Sequence, residues 1–118
     1  MLEKYIIAKD GLPYVLKIDD EFERIGIFHE DEEIGYFEFS IETDDVKNVS
    51  YWMLMYMTIS RTHIGLGEEV LHFHRECTKG EPIFSRYGSN QEYEDGSQLT
   101  GLGIPFVAKM IKKGLIQK

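Results

Sequence analysis

The amino-acid sequence predicts a single α+β domain in which a mixed, mainly antiparallel sheet packs with two helices. The chain has 118 residues, so we expect residues 1–118 to form one domain. Hydrophobic residues make up 42% of the chain and aromatic residues 13%, which is enough apolar surface for a core. Short strand-like segments between tight turns fill the first half, and two stretches with helical periodicity lie in the second half.

Strands account for most of the first half. Gly11 and Pro13 mark a turn before the first predicted strand, and four consecutive acids at residues 30–33 indicate a hairpin tip. Residues 51–59 carry no charge, which predicts a central strand covered on both faces. A buried helix is the competing interpretation, which the aromatic residues and Thr58 disfavour. The predicted strands are residues 14–18, 24–29, 34–41 and 51–59.

Two helices and one more strand follow. Apolar residues at helical spacing, acids in the first turn and Gly80 beyond the last turn predict a helix over residues 68–77. A short strand at residues 81–85 comes after this crossover helix, so we expect it to run parallel to the central strand. An amphipathic stretch with lysines on one side predicts the second helix over residues 102–113, ended by Gly114.

The single cysteine limits the kinds of site that the chain can hold. Cys77 has no partner for an internal disulfide or a cysteine-based metal cage, and we expect it in the core of a cytoplasmic protein. His72 and His74 are two residues apart on a predicted helix, so their side chains should point to different faces and no metal site is predicted. The sequence also carries neither a secretory signal nor an apolar run of about 20 residues that could span a membrane.

Charge is distributed unevenly along the chain. The formal net charge is −8, and residues 1–45 carry 14 acidic and four basic side chains, whereas residues 46–118 carry seven and nine. An acidic protein repels phosphate backbones and anionic lipids, so we expect neither nucleic acid nor a membrane as partner. The acidic first half favours a cationic partner, and the second half can hold an anion locally.

The most informative stretch joins the central strand to the first helix. Residues 61–67 read RTHIGLG, with Gly65 and Gly67 at the entry to the helix. The first amides of a helix are unpaired and carry a partial positive charge, and glycines let a phosphate approach them closely. Arg61 and His63 add positive charge and hydrogen-bond donors. The pattern therefore indicates a phosphate-binding turn, with a plain tight turn as the alternative.

This turn and the order of elements resemble the core of the GNAT superfamily of acetyl-CoA-dependent N-acetyltransferases. Residues 64–71 are similar to the family's glycine turn and the helix after it, and residues 33–39 and 99–106 are similar to an earlier strand and the last helix. The resemblance covers roughly residues 24–116. It implies that the main chain of Met57, Thr58 and Ile59 pairs with the pantetheine of acetyl-CoA. The residues that it implies for the pyrophosphate are Arg61, Thr62, Ile64, Gly65, Leu66, Gly67 and Glu68.

The sequence departs from the family pattern at several positions. The Arg/Gln position of the motif falls on Thr62, with Arg61 one residue away, and Met110 stands where the family often has a catalytic tyrosine. The two N-terminal helices of the family are missing. Candidate catalytic groups that would accept a proton from the amine are Glu38, His63 and, through a water, Tyr87. Tyr36 is a further candidate that would act through a water.

Two functions of different classes are consistent with these residues. The first is an N-acetyltransferase that uses acetyl-CoA and a cationic amine, which is a protein lysine, a protein N-terminus or a small amine. The alternative is a catalytically inactive GNAT-like interaction protein, regulatory or phage-encoded, whose acidic residues 1–45 bind a basic partner. A sensor of another phosphorylated ligand is a third interpretation. Exposed sheet edges leave a homodimer open in each case.

Overall fold

The computed structural model describes residues 2–61, 64–85 and 103–117, which form one six-stranded sheet and two helices. The strands lie in chain order; β1 to β5 are antiparallel neighbours and β6 runs parallel to β5. The predicted α+β class, with a mixed sheet and two helices, is confirmed. The elements are β1 (Leu2–Ile7), β2 (Pro13–Ile18), β3 (Arg24–His29), β4 (Glu32–Asp44), β5 (Val49–Ile59), α1 (Leu66–Cys77), β6 (Ile83–Phe84) and α2 (Gly103–Lys112).

Both helices pack on the same face of the sheet. Phe37 and Phe39 are alternate residues of β4, so their side chains share a face. The ring of Phe37 meets the edge of Phe106 from α2 at 5.9 Å, and that of Phe39 stacks on His74 from α1 at 4.0 Å. The core therefore lies between this face and the helices. We call the other side of the sheet, which carries Tyr36 and none of the described helices, the open face.

The prediction that the central strand is covered on both faces is wrong. Trp52 and Leu54 are buried, but Tyr56 is 41% exposed. A bulge explains the pattern: Glu38 and Phe39 of β4 pair with Tyr56 and Leu54, so Met55 is the extra residue on β5. An extra residue reverses the alternation of side chains, and positions 57 and 59 then replace even positions on the core face.

Strand β1 and the start of α1 also differ from the predictions. The stretch Leu2–Ile7 lacks regular alternation of polar and apolar residues and was not predicted as a strand, yet it pairs with β2 along its whole length. Helix α1 begins at Leu66, inside the region predicted as a turn. The predicted helix stops are confirmed, because Gly80 and Gly114 adopt the left-handed conformation. Neither α1 nor α2 has the length and apolar character that crossing a membrane requires.

Candidate functional site

The site centres on the point where the described pairing of β5 with β6 ends. Strand β6 pairs with β5 only through Trp52–Ile83 and Met53–Phe84. From residue 54 to residue 59, β5 keeps its partner β4 but pairs with no other described strand. The chain then enters the glycine turn and α1. We call residues 57–59 together with residues 64–68 the β5–α1 junction.

The first turn of α1 leaves backbone donors without helical acceptors. Gly65 caps the helix at φ 85°, and no side chain of the described residues forms a capping hydrogen bond there. The first helical hydrogen bond runs from the Glu69 N–H to the Gly65 carbonyl, at 3.2 Å. The amides of Leu66, Gly67 and Glu68 precede it, and together with the helix dipole they form an electropositive end that suits an anion.

The two glycines of the turn are required for different structural reasons. The left-handed φ of Gly65 is unfavourable for any residue with a Cβ atom. Gly67 lies inside α1, where a Cβ atom would stand 2.6 Å from Cε1 of Phe106. Close packing of α1 against α2 therefore requires Gly67, whereas the turn itself requires Gly65. The side chain of Leu66 is buried in the core between them.

Two lysines that the sequence did not single out as anion ligands lie beside this helix end. The aliphatic part of the Lys9 side chain lies against the turn, where its Cε would be 3.4 Å from a Cβ atom added to Gly65. The backbone N–H of Lys9 donates to the Ile64 carbonyl at 3.1 Å. Lys113 pairs with the Glu68 carboxylate. That hydrogen bond chiefly, with smaller effects of nearby charges that include Lys9, holds the pKa of Glu68 below its usual value. No local sequence signal links Lys9 to a turn more than 50 residues later.

Arg61 is already engaged by other side chains. Its guanidinium donates to the Tyr14 hydroxyl at 2.9 Å, and that hydroxyl donates to Asp10 at 2.6 Å. The bond to Tyr14 is the main reason why the pKa of Arg61 lies above its ordinary value. Burial, followed by the Asp10 bond, raises the pKa of Tyr14. A phosphate would therefore have to compete with Tyr14 for Arg61.

Of the candidate catalytic groups, the described residues include Glu38 and Tyr36, which both lie on the open face. Glu38 lies on the open face of β4, opposite Arg24 and Tyr56 in the sheet register, so the sheet separates it from α1. Tyr36 shares that face, with the Arg24 guanidinium 4.4 Å from its ring centre. Thr62, His63 and Tyr87 lie outside the residues that the structure describes.

The strand residues of the junction offer main chain rather than side chains. Met57 and Ile59 are partly buried against the core, and Thr58 is exposed on the open face opposite Tyr36. Their backbone edge toward β6 is the one that lacks a described partner strand. Among the described residues, the site thus combines a strand edge without a partner and a helix terminus without a side-chain cap.

The surroundings of the two histidines and the cysteine of α1 are those of structural residues. As predicted, His72 and His74 point to different faces, since His72 is exposed and His74 is fully buried. Cys77 packs half-buried against the core, and burial raises the pKa of its thiol. In the described parts of the chain, no three His, Cys, Asp or Glu side chains gather in a way that could hold a metal ion.

Comparison of the chain with protein-family models, with curated proteins and with solved structures found no match.

Proposed function

We propose that this protein is a small GNAT-like N-acetyltransferase that transfers an acetyl group from acetyl-CoA to an amine. One observation carries the proposal: beyond Met53, β5 pairs with β4 alone among the described strands, and the first turn of α1, whose amides lack helical acceptors, follows the end of β5. A strand edge and a helix end side by side provide main-chain hydrogen bonds for an amide-containing arm and an anion site for the phosphates at its end.

The residues of the β5–α1 junction fit the two parts of this cofactor. The pyrophosphate would accept hydrogen bonds from the amides of residues 66–68, and Lys9 would supply positive charge in place of Arg61. The carboxylate of Glu68 would repel an anion, but Lys113 already balances its charge. The pantetheine amides would pair with the main chain of residues 57–59, as an added strand pairs with a sheet edge.

The chemistry makes modest demands on side chains. A neutral amine attacks the thioester carbonyl, the C–N bond forms, the C–S bond breaks, and the proton of the amine leaves to a base or to water. Holding the amine and the thioester together supplies much of the rate enhancement, and a backbone N–H of β5 can stabilise the developing oxyanion. Glu38, His63 and Tyr87 remain the candidate bases. The excess of acids in residues 1–45 favours a cationic acceptor.

Thermal unfolding with and without acetyl-CoA tests the cofactor. A ligand that binds only the folded state at 100 times its Kd stabilises that state by about 2.7 kcal/mol, so the unfolding temperature should rise with acetyl-CoA concentration. Gly65→Glu should abolish this rise because it places a carboxylate in the anion site. Gly80→Glu is the matched control: it introduces the same residue at a left-handed glycine of the same helix, at its other end. No stabilisation by millimolar acetyl-CoA, or equal loss in both variants, would refute the proposal.

A second candidate function is a non-catalytic GNAT-like protein that binds a basic partner. It is favoured by the engagement of Arg61 with Tyr14 and by the position of Glu38 on the face away from α1. Release of the free CoA thiol in the presence of spermidine, lysine or a peptide N-terminus separates the two. Stabilisation by acetyl-CoA with no thiol released to any of these amines would favour the second function.

A further inference from the structure

Strand β1 presents an unpaired edge. It is the first strand of the sheet and pairs with β2 through all six of its residues, without a bulge or a proline. Its other edge has no backbone partner among the residues that the structure describes. Such an edge is a template for another strand unless charges, prolines or bulges protect it. The two charged residues of β1 have partners within the fold: Lys4 pairs with Glu76 of α1 and Glu3 with Lys17 of β2.

An apolar groove adjoins this edge. Its volume is about 440 Å³, and its apolar lining includes Tyr5, Ile7, Val15 and Phe28. Tyr5 is paired with Val15, and Val15 with Phe28, so these three side chains form a row across three strands on the open face. Tyr5 and Ile7 are 74% and 69% exposed, a large apolar exposure for an edge strand. We call this feature the β1 groove.

Two carboxylates border the β1 groove at the far side from β1. Glu30 and Asp31 form the two-residue turn between β3 and β4, and both line the cavity. Their φ angles, 52° and 66°, are left-handed, and turns of this kind favour Asn-Gly. Acids therefore occupy a turn whose geometry favours other residues, at the rim of an apolar groove.

We propose that an extended, basic segment of a partner protein adds to β1 as a seventh strand and lays a lysine or arginine side chain along the β1 groove. The apolar stem of that side chain would pack on Tyr5 at the near end of the row, since Lys17 lies over the Phe28 ring, and Glu30 and Asp31 would attract its charged end across the groove. Long basic side chains suit a groove that is apolar along its length and acidic at its end.

Charge selects such a partner over a second copy of the chain. Residues 1–45, which contain β1 to β4, carry a net charge of −10, from four basic and 14 acidic side chains. Pairing two β1 edges would bring two such regions together, whereas a basic segment is attracted to them. None of the residues that line the β1 groove belongs to the β5–α1 junction, so the proposal holds whether or not the chain binds acetyl-CoA.

Fluorescence anisotropy with labelled peptides tests the docking. The probe is a short peptide of alternating lysine and threonine. A glutamate–threonine peptide tests charge, and the lysine–threonine peptide N-methylated throughout keeps the charges but cannot donate backbone hydrogen bonds. The wild type should bind the first peptide, fail to bind the second, and bind the third about tenfold more weakly.

Variants locate the binding surface. Glu30→Asn/Asp31→Gly removes both rim charges with residues that suit the turn, and Ile7→Ser removes exposed apolar surface; each should weaken binding by about fivefold to tenfold. Glu42→Gln/Asp45→Asn removes two acids near the β4–β5 turn and is the matched control that should leave binding unchanged.

Several results would overturn the proposal. They are no binding of the lysine–threonine peptide by the wild type, equal affinity for its N-methylated form, and equal weakening by the control pair of substitutions. Sedimentation that shows a dimer, broken by Ile7→Ser, would assign the edge to a second copy instead.

Discussion

His74 is a titratable side chain in the core of the fold. Its side chain is fully buried, stacked on Phe39 and 4.9 Å from the Trp52 ring in an edge-on contact. Nε2 lies 3.0 Å from the Phe22 carbonyl and donates to it, whereas Nδ1 has no hydrogen-bond partner in the described structure. Burial, only partly opposed by the Phe22 bond, lowers the pKa of His74 from 6.5 to about 4. The folded protein therefore holds His74 neutral.

This low pKa predicts a loss of stability in acid. Between pH 6.5 and pH 4 the unfolded chain binds a proton at His74 that the folded chain does not, so the free energy of unfolding falls as pH decreases, by about 3 kcal/mol across the interval. Urea unfolding at several pH values measures this fall. His74→Phe should reduce it by about that amount, and His72→Gln, at an exposed position of the same helix, should leave it intact. An unchanged pH dependence in His74→Phe would contradict the assignment.

Gly67 should resist substitution although it lies in a helix. Gly67→Ala normally improves helix propensity, but here the Cβ atom would meet the ring of Phe106 at 2.6 Å. We expect a net destabilisation of about 1–2 kcal/mol, because overpacking outweighs propensity. Chemical unfolding of a double-mutant cycle tests the cause: Gly67→Ala should cost less in a Phe106→Leu background, where the ring is gone. An equal cost in both backgrounds would contradict it.

Among the elements, the β3–β4 hairpin gives the clearest prediction. Glu30 and Asp31 both have positive φ, the conformation that non-glycine residues adopt least readily. Glu30→Asn/Asp31→Gly should therefore stabilise the fold by about 1 kcal/mol, measured by urea unfolding. The control variant Glu42→Asn/Asp45→Gly should give no such gain, since neither Glu42 nor Asp45 has positive φ. Loss of stability on Glu30→Asn/Asp31→Gly would mean that the carboxylates contribute more than the strain costs.

Local patterns predicted most of the elements, because each pattern depends on near neighbours in sequence. The alternation in β4, the apolar spacing in α1 and the left-handed glycines after both helices were sufficient for this purpose. The bulge at Met55 could not be predicted in this way, because it depends on the register between β4 and β5. The bulge explains why Tyr56 and Thr58, in the second half of β5, are exposed on the open face. Strand β1 was missed because pairing with β2, rather than its own alternation, makes it a strand.

At the scale of the whole molecule, the glycine turn was predictable but its surroundings were not. The turn is visible as a Gly-x-Gly after an uncharged strand. Lys9 reaches it from the β1–β2 connection, and Tyr14 takes Arg61 away from it, through contacts between residues far apart in sequence. Glu38 lies on the open face because it alternates with Phe37 and Phe39, whose side chains meet the described helices. Long-range packing therefore decides which charged groups can reach the candidate cofactor.

The uneven charge also predicts how salt affects the whole molecule. Neighbouring strands β1 to β4 come from residues 1–45, where acids outnumber bases by ten, so their mutual repulsion destabilises the folded state at low ionic strength. The described ion pairs, such as Lys4–Glu76 and Arg24–Glu33, are exposed, so salt removes little stability by screening them. Raising NaCl from about 10 mM to about 300 mM should therefore increase the unfolding temperature, by about 4 °C for each kcal/mol of repulsion that is screened.

Asp45→Lys, in the exposed turn before β5, should raise the unfolding temperature at low salt and shrink the salt response, whereas Lys112→Glu on α2 should do the opposite. A decrease of the unfolding temperature with salt in the wild type would mean that the ion pairs outweigh the repulsion.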